Sequence, residues 1–309
     1  MKKTSLAKEI YYDYSGKTMN RAIKIKFNKN ISKSALFLSK KTGTLFHSPN
    51  KNSEISVREW SNKIYSKKIN TKKIKYTSNN PIMKSRHYYS AIFINKYLKK
   101  KITNFCDYGT GEGNFAKELF RVNKKITFHF TEHSKNLFKH TKKMIKKIFK
   151  KNFLSHNGTI ESTAKLKNFN NFDCASLLWT LCNCVDPLTV LQTIHSSLRK
   201  DGLIIISESS RILVPFKKPI FNFFVSNHKT QNTHPWYFSY NSLSNLLEIS
   251  GFRIIDRNRY FDENDLVVIA KKMNKKTHKP IIKVDNYKKV LKFLKDWEKF
   301  SYKYNKELK

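Results

Sequence analysis

The sequence predicts an α/β protein with a doubly wound, mostly parallel sheet, an antiparallel edge and a small β-rich appendage at its N-terminus. From residue 102 onward, apolar runs typical of strands alternate with amphipathic helical segments, which is the order of a parallel sheet covered by helices. The first of these strands ends in a glycine-rich loop, "DYGTGEG". The last two apolar runs, within 252–272, have no helix between them and so predict the antiparallel edge.

Residues 1–55 predict the small β-rich segment. "AIKIKF" alternates apolar and basic residues as a half-buried strand does, and "SALFLSKKTGTLFHSPN" predicts two short strands joined by a turn at 41–43. Residues 56–101 predict a helical connector that caps the next domain. Its second helix, "SRHYYSAIFINKYLKK", is expected to begin at an N-cap, Ser85, and to carry lysines in its last turn.

Residues 102–272 predict the main domain. The expected strands are "ITNFCDYG", "KITFHFTE", "GTIEST", "FDCASLLWTL" and "LIIISES", with helices over 114–122 and 134–150. Asp186-Pro187 is expected to open a further helix that Gly202 closes. "SLSNLLEISG" predicts another helix, also ended by a glycine.

Residues 273–309 predict a basic linker followed by an amphipathic helix. Apolar residues recur along one side of that helix: Val290, Phe293, Leu294, Trp297 and Phe300. This stripe either packs on the parent domain or contacts a second copy of the chain, and the sequence leaves both alternatives open.

The composition excludes several classes of protein. The chain begins without an apolar signal segment and has no run of about 18 apolar residues, so we expect a soluble, cytoplasmic protein with no membrane span. Its four cysteines form no CxxC pair, which argues against a disulfide framework. Cys182 and Cys184 are interpreted as small buried apolar residues, and no metal site is expected.

The formal net charge of +40 has two interpretations. One is a polyanionic partner such as nucleic acid, because cations that neutralise phosphates release counterions. The other is drift in an AT-rich genome, which enriches lysine, asparagine and isoleucine together. Only nine of the 62 basic residues are arginine, the residue that proteins favour for recognising the phosphates and bases of nucleic acids. Drift is therefore the preferred interpretation.

Three glycines in the loop at 107–113 predict a ligand site. Gly109, Gly111 and Gly113 follow a strand and precede a helix, at the edge where open α/β sheets bind ligands. Glycine lets the main chain approach a ligand with no Cβ in the way. The next strand ends in Glu132, where such folds place an acid that accepts hydrogen bonds from ribose hydroxyls. Asn114 stands where a dinucleotide motif has its third glycine, so a pyrophosphate site is less favoured.

The motif D-x-G-x-G-x-G with its distal acid resembles the nucleoside site of the class I S-adenosylmethionine-dependent methyltransferases, which have a Rossmann-like fold. "FDCASLLWTLCNCVDPLTVLQTIHSSLRKDGLIIISE" resembles the passage between the fourth and fifth strands of that family. "HPWYFSYNSLSNLLEISGFRII" resembles a later segment of its small-molecule members. The resemblance covers about 85–272 and implies S-adenosylmethionine as the cofactor.

The resemblance implies roles for particular residues. The cofactor set is Asp107, Gly109, Gly111, Gly113, Glu132 and Asp173, the last as an adenine-side contact or merely a strand-end cap. His234 is the first candidate for a catalytic base, which a hydroxyl or acidic C–H acceptor would need. Candidates for contact with the substrate are His87, Tyr89, Trp179 and Trp236, each of which could equally be a packing residue.

The sequence departs from the family at two places. Many small-molecule members read Leu-Glu-His-Val before the Asp-Pro, whereas this chain has Cys182 and Asn183 in place of the acid and histidine. Either the base lies elsewhere or activity is lost. The N-terminal segment resembles a zinc-binding ribbon found in methyltransferases of sugar and surface-polysaccharide clusters, but Ser39 and Thr42 occupy cysteine positions. No zinc is therefore expected there.

The predicted function is methyl transfer from S-adenosylmethionine to a small metabolite, with a sugar or surface-polysaccharide intermediate as the favoured acceptor. Two alternatives remain: an RNA methyltransferase, which the lysine excess favours, and a cofactor-binding module without catalysis, which the Cys182 and Asn183 departures favour. The expected partner is a small-molecule acceptor, with nucleic acid less favoured, and an oligomer could form through the C-terminal helix.

Overall fold

The computed structural model describes residues 8, 10–11, 13–14, 22–27, 36–47, 81–98, 103–150, 152–209, 211–214, 220, 234–258 and 265–307. Within these ranges the strands are β1 (Ala22–Ile25), β2 (Leu36–Ser39), β3 (Leu45–His47), β4 (Thr103–Tyr108), β5 (Ile126–Thr131), β6 (Ser155–His156), β7 (Phe172–Leu178), β8 (Leu198–Glu208), β9 (Trp236–Tyr237), β10 (Phe252–Arg257) and β11 (Leu266–Lys272). The helices are α1 (Pro81–Asn95), α2 (Asn114–Val122), α3 (Lys135–Phe149), α4 (Pro187–Ser197), α5 (Tyr240–Ile249) and α6 (Tyr287–Glu307). The part of the predicted connector over 56–80 lies outside the described residues.

The main sheet has seven strands in the order β6-β5-β4-β7-β8-β11-β10. Strands β4 to β8 pair in parallel, whereas β11 runs antiparallel to both β8 and β10. The predicted doubly wound sheet with an antiparallel edge is therefore confirmed. Its first parallel strand, β4, lies in the middle of the sheet, so the loop after it opens at the point where the strand order reverses.

Two apolar layers cover the faces of this sheet. In β8, Ile204 and Ile206 pack into one layer and Ile205 into the other, as the period of two requires. In the neighbouring β11, Ile269 and Ala270 face the same two layers opposite Ile205 and Ile204. Both faces are thus buried, which is why "GLIIIS" reads as a continuous apolar run rather than an alternating one.

Three local expectations were wrong. Helix α1 begins at Pro81 instead of after Ser85, because proline is well suited to a first helical turn, and it ends at Asn95, before the lysines. The segment 158–163 is not a strand: the third parallel strand is Ser155–His156, and a short 3₁₀ helix occupies Glu161–Lys165.

Gly202 does not close α4. That helix ends at Ser197, where β8 begins, and Gly202 lies inside the strand. Asp201, just before it, takes the left-handed conformation, with φ at 60°. The polar side chain of aspartate tolerates that conformation better than most.

A second, four-stranded antiparallel sheet has the order β1-β2-β3-β9. The predicted strands of the N-terminal segment are present, but β9 comes from the later part of the chain and pairs Trp236 with Phe46. The small sheet therefore shares its hydrogen bonds with the main domain.

Helix α6 packs on the small sheet. Its buried side chains Val290, Leu294 and Trp297 lie in one apolar cluster with Leu38 and Leu45. Phe293 and Phe300 of the predicted stripe are partly buried against the same cluster, so the stripe packs on the chain's own sheet.

Ser39 and Thr42, the residues expected to replace cysteines, are joined by a hydrogen bond. The main-chain N–H of Thr42 donates to Oγ of Ser39 at 3.3 Å. The Thr42 hydroxyl donates to the buried carboxylate of Asp13 and contacts Oγ1 of Thr44 at 2.8 Å. The turn between β2 and β3 is thus closed by polar contacts among neutral hydroxyls and one acid. In the ranges the structure covers, no helix combines the length and apolar character that a bilayer crossing requires.

Candidate functional site

The loop after β4 adopts an unusual main-chain conformation. Gly109, Gly111 and Gly113 have φ values of 74°, 56° and 75°, in the left-handed region that favours glycine. A Cβ at Gly113 would also lie 2.0 Å from Cε of Met144, and one at Gly109 would lie 2.8 Å from Cγ2 of Thr180. Gly109 is therefore required by packing as well as by conformation, because Thr180 is short and branched, whereas at Gly113 the atom in the way is the end of a flexible side chain and conformation is the main constraint.

The neighbouring elements hold this loop in place. The main-chain N–H groups of Gly109 and Thr110 donate to the carbonyl oxygen of Thr131 at 3.1 and 3.0 Å. The hydroxyl of Thr141, on α3, donates to the carbonyl oxygen of Gly111 at 2.7 Å. The sequence analysis did not single out Thr131 or Thr141, because threonine in a strand and in a helix carries no signal of its own.

Glu132 lies directly against the glycine loop, as expected. Its Oε2 accepts the main-chain N–H of Gly111 at 2.8 Å, and its Oε1 accepts that of Ser134 at 2.7 Å. Burial raises the pKa of the Glu132 carboxyl to about 7, although these two main-chain hydrogen bonds act in the opposite direction. The acid therefore titrates in the neutral range.

The polar atoms around Glu132 fit a ribose. A carboxylate offers about four lone-pair directions, and the two main-chain donors use two of them. The hydroxyl of Ser134 beside it is buried and has no hydrogen-bond partner among the described residues. A vicinal diol could satisfy both groups, because each of its hydroxyls can donate and accept.

Asp107 closes the base of the site from within β4. It is buried, and the Ser176 hydroxyl of the adjacent strand β7 donates to its Oδ1 at 2.6 Å. Burial raises the pKa of the Asp107 carboxyl to about 6. The structure thus brings Asp107, the three glycines and Glu132 together at one edge of the sheet.

Asp173 is a correction to the predicted cofactor set. It is the second residue of β7, at the amino end of the strand, whereas the glycine loop lies at the carboxyl end of β4. Its carboxylate accepts the main-chain N–H of Asn104 at 2.7 Å and pairs with Arg199. Sequence position alone did not distinguish the two ends of this strand. Asp173 links the start of β7 to the start of β4 and to Arg199, away from the glycine loop.

Trp179 and His87 meet near the carboxyl end of β7. Their ring centroids are 4.8 Å apart in an edge-on arrangement. Trp179 has a φ of 52°, uncommon for a bulky residue, and its Nε1–H donates to both carboxylate oxygens of Asp265 at 3.0 Å. Arg86 lies 3.5 Å from the same carboxylate, so it joins α1 to this edge of the sheet.

Tyr89 and Trp236 do not join that pair. Tyr89 lies two residues after His87 on α1, which turns it to nearly the opposite face of the helix, and its side chain is 47% exposed. Trp236 is fully buried, and its ring packs at a tilt against the rings of Phe46 and Tyr14. Its Nε1–H donates to the carbonyl oxygen of Cys184 at 2.8 Å. Trp236 is therefore a packing residue, contrary to the expectation that it would wall a substrate pocket.

His234 contacts the loop that follows β7. Its Nδ1 is 2.5 Å from Oδ1 of Asn183 and 3.5 Å from the sulfur of Cys182. Thr180 in the same loop packs against Gly109, so the loop that holds His234 also contacts the glycine turn. The catalytic candidate and the two residues that depart from the family pattern are thus neighbours.

Glu208 is a further acidic residue that the sequence analysis missed. It is fully buried at the carboxyl end of β8, and its Oε1 accepts the main-chain N–H of Cys182 at 3.3 Å. Burial raises the pKa of the Glu208 carboxyl to about 8. An acid that closes the apolar run "LIIISE" is a signal that could have identified it. All four cysteines are free thiols, and the described residues include no group of three or more potential metal ligands.

The chain matches the family model described as "Methyltransferase domain" over residues 82–257, which is more than half of its length. No curated protein sequence gives a significant match. A candidate O-methyltransferase from Nostoc punctiforme superposes with a TM-score of 0.52 at 14% identity, over 71% of this chain and 67% of that one.

Two further solved structures share the fold. The pyocyanin biosynthetic protein PhzM superposes with a TM-score of 0.52 at 13% identity, over 69% of this chain and 62% of that one. Magnesium protoporphyrin IX methyltransferase from Synechocystis, solved with bound S-adenosylmethionine, gives 0.51 at 10% identity, over 72% of this chain and 98% of that one. At such identities these structures are similar to the chain in fold alone.

Proposed function

The chain belongs to the methyltransferase-domain family, and from this premise we propose that it transfers the methyl group of S-adenosylmethionine to a small, hydroxyl-bearing acceptor. The observation that carries the proposal is the unit formed by the glycine turn and the buried Glu132 carboxylate at the carboxyl edge of the sheet. The structure of a relative in fold with bound S-adenosylmethionine supports the same cofactor for this chain.

The chain's own groups would hold the cofactor in defined roles. Glu132 would accept hydrogen bonds from the ribose hydroxyls, with the Ser134 hydroxyl as a second partner. The main chain at 109–113 would face the adenosyl part, with no side chain between them at the three glycines. When bound, S-adenosylmethionine supplies the methyl group on a positively charged sulfur.

Methyl transfer requires alignment and the removal of a proton from a hydroxyl acceptor. His234 is the proposed base, since it contacts the loop after β7 that also packs on the glycine turn. Trp179 and His87 supply aromatic surface at the same edge and would exclude water around the acceptor.

The favoured acceptor class is a sugar or a surface-polysaccharide intermediate. The support is the resemblance of the N-terminal segment to the ribbon of such methyltransferases, together with the small sheet that this segment forms. An RNA acceptor remains the second candidate because of the +40 charge. Against it, the described lysines are distributed: exposed lysines cover α3 beside the main sheet and also α6 on the small sheet.

Calorimetric titration with S-adenosylmethionine and with its demethylated product tests the cofactor. We expect binding of both, and we expect Glu132→Gln to weaken the affinity about 10- to 100-fold, because one charge-assisted acceptor is lost. Glu118→Gln, on the neighbouring α2, is the matched control and should bind normally. A folded wild-type protein with no affinity for either nucleoside would overturn the proposal.

Transfer of a labelled methyl group to a panel of acceptors tests the substrate. The panel should contain neutral sugars, nucleotide-linked sugars, phenols and a structured RNA. Label in the sugars and none in the RNA supports the first candidate, whereas label in the RNA alone replaces it with the second.

A further inference from the structure

The Asn183 side chain is oriented by Trp179, and its main chain is held by Thr180. Its Nδ2 donates to the carbonyl oxygen of Trp179 at 3.2 Å, and its main-chain N–H donates to that of Thr180 at 2.9 Å. A carbonyl oxygen can only accept, so the amide nitrogen must face Trp179. The amide oxygen of Asn183 is therefore the atom that faces His234.

This orientation decides which ring nitrogen of His234 carries the hydrogen. Nδ1 lies 2.5 Å from the amide oxygen of Asn183. Two lone pairs at that separation would repel each other, so a hydrogen must lie between them, and the amide oxygen cannot supply it. Nδ1 of neutral His234 is accordingly the protonated nitrogen, and Nε2 carries the lone pair that can accept a proton.

The Cys182 thiol is the competing partner of the same nitrogen. Its sulfur lies 3.5 Å from Nδ1 of His234 and 3.6 Å from Oδ1 of Asn183. If the thiol donated to Nδ1, that nitrogen would have no hydrogen to offer Asn183, and the shorter contact would become repulsive. A thiol is also a weak donor. The geometry therefore favours Asn183 as the group that determines the tautomer of His234.

The pair formed by Asn183 and His234 lies at the edge of the sheet that carries the glycine loop. Asn183 belongs to the short helical turn Leu181–Asn183 that follows β7, the strand beside β4. Thr180, immediately before that turn, packs against Gly109 of the glycine loop. The position of His234 is thus set by the same loop that contacts the glycine turn.

We propose that Asn183 is a positioning residue that holds His234 in its Nδ1–H form, so that Nε2 takes the proton of an acceptor hydroxyl and the methyl group is transferred to oxygen. The inference rests on the proposed function. In the step, the hydroxyl proton passes to Nε2, the oxygen forms its bond to the methyl carbon, and the electron pair of the broken carbon–sulfur bond stays on sulfur. The products are a methyl ether, the demethylated nucleoside and an imidazolium on His234.

The departure at Asn183 then has a chemical role. The residue that stands in the histidine position of many relatives does not act on the acceptor itself, but orients a histidine that comes from 51 residues further along the chain.

Nitrogen NMR of histidine-labelled protein tests the tautomer directly. The His234 signals are assigned by their loss in His234→Gln. We expect the hydrogen on Nδ1 in the wild type and in Asn183→Asp, because a carboxylate accepts from Nδ1–H as an amide oxygen does. In Asn183→Leu we expect the Nε2–H form, which histidine prefers in water, to become the major one. A wild-type His234 with its hydrogen on Nε2 overturns the inference without any need for an active enzyme.

Kinetics with the acceptor found in the panel test the role. We expect Asn183→Leu to lower kcat about 10- to 100-fold, within the range that general base catalysis contributes, with the KM for the acceptor little changed. Asn183→Asp should restore most of the loss, and Asn170→Leu, at an exposed asparagine, is the matched control. An unchanged kcat in a folded Asn183→Leu overturns the inference.

The calorimetric titration distinguishes a failure of the proposed role of Asn183 from a failure of the proposed function. Both Asn183 variants should bind S-adenosylmethionine as the wild type does. Normal binding combined with the wrong tautomer rejects the role of Asn183 alone. A wild-type protein that binds no S-adenosylmethionine rejects the proposed function, and the base role of His234 with it.

Discussion

Oε2 of Glu132 accepts the main-chain N–H of Gly111 at 2.8 Å, so the acid at the end of β5 and the glycine turn at the end of β4 form a single unit. The contact joins a titratable group to the main chain that would face the cofactor. It follows that protonation of Glu132 and occupation of the site are linked.

Cofactor affinity should depend on pH through Glu132. Burial raises the pKa of this carboxyl to about 7, and ribose hydroxyls would donate more strongly to its ionised form than to its protonated form. Affinity for S-adenosylmethionine is therefore expected to rise as pH increases from 6 to 8, with proton release on binding near pH 7. Calorimetry in buffers of different ionisation enthalpy measures both quantities. Glu132→Gln should remove the rise between pH 6 and 8, and an unaltered pH dependence in that variant would contradict the assignment.

Gly113 should tolerate a side chain poorly, because its conformation is left-handed and Met144 must move aside. An alanine there needs a φ of 75° and places Cβ 2.0 Å from Cε of Met144. We expect Gly113→Ala to lower the free energy of unfolding by about 1–3 kcal/mol, measured by urea denaturation. Met144→Ala removes the clashing atom, so the double variant should lose less than the sum of the two single variants. Strict additivity would show that the clash is not the cause.

Glu208 should make the protein less stable at high pH. Burial raises the pKa of its carboxyl from 4.5 to about 8 in the folded state. The folded state thus binds this proton more tightly, and the stabilising contribution, complete below pH 4.5, is lost as pH rises through 8. Urea denaturation at pH 6 and pH 9 should show a smaller decline in Glu208→Gln than in the wild type. An equal decline in the two proteins would exclude Glu208 as its source.

Helix α6 should stabilise the small sheet. Leu294 is fully buried in the cluster that contains Leu38 and Leu45. We expect Leu294→Ala to lower the free energy of unfolding by about 2–5 kcal/mol through the cavity it leaves. Lys295→Ala, at the next and exposed position, should change it by less than about 0.5 kcal/mol. If sedimentation showed instead that Leu294→Ala breaks an oligomer without loss of monomer stability, the stripe would be an intermolecular contact.

Much of the fold could be read from local patterns. The continuous apolar run of β8, the Asp186-Pro187 helix start and the three glycines each reflect a constraint that acts within a few residues. Element boundaries were less accurate. The strand Leu198–Glu208 begins where the helix was expected to continue, because Leu198 pairs with Phe172 of β7 and this pairing overrides local helix preference there.

The sequence by itself determined the fold class, the glycine turn and the acid one strand away, because these depend on residue type and spacing along one βα unit. Only the tertiary structure decided that Asp173 lies at the far end of its strand, that β9 completes the small sheet, and that Asn183 meets His234 across 51 residues. The physical reason is that such contacts arise from strand register and core packing, which join segments distant in the chain and leave no periodic signal in either one.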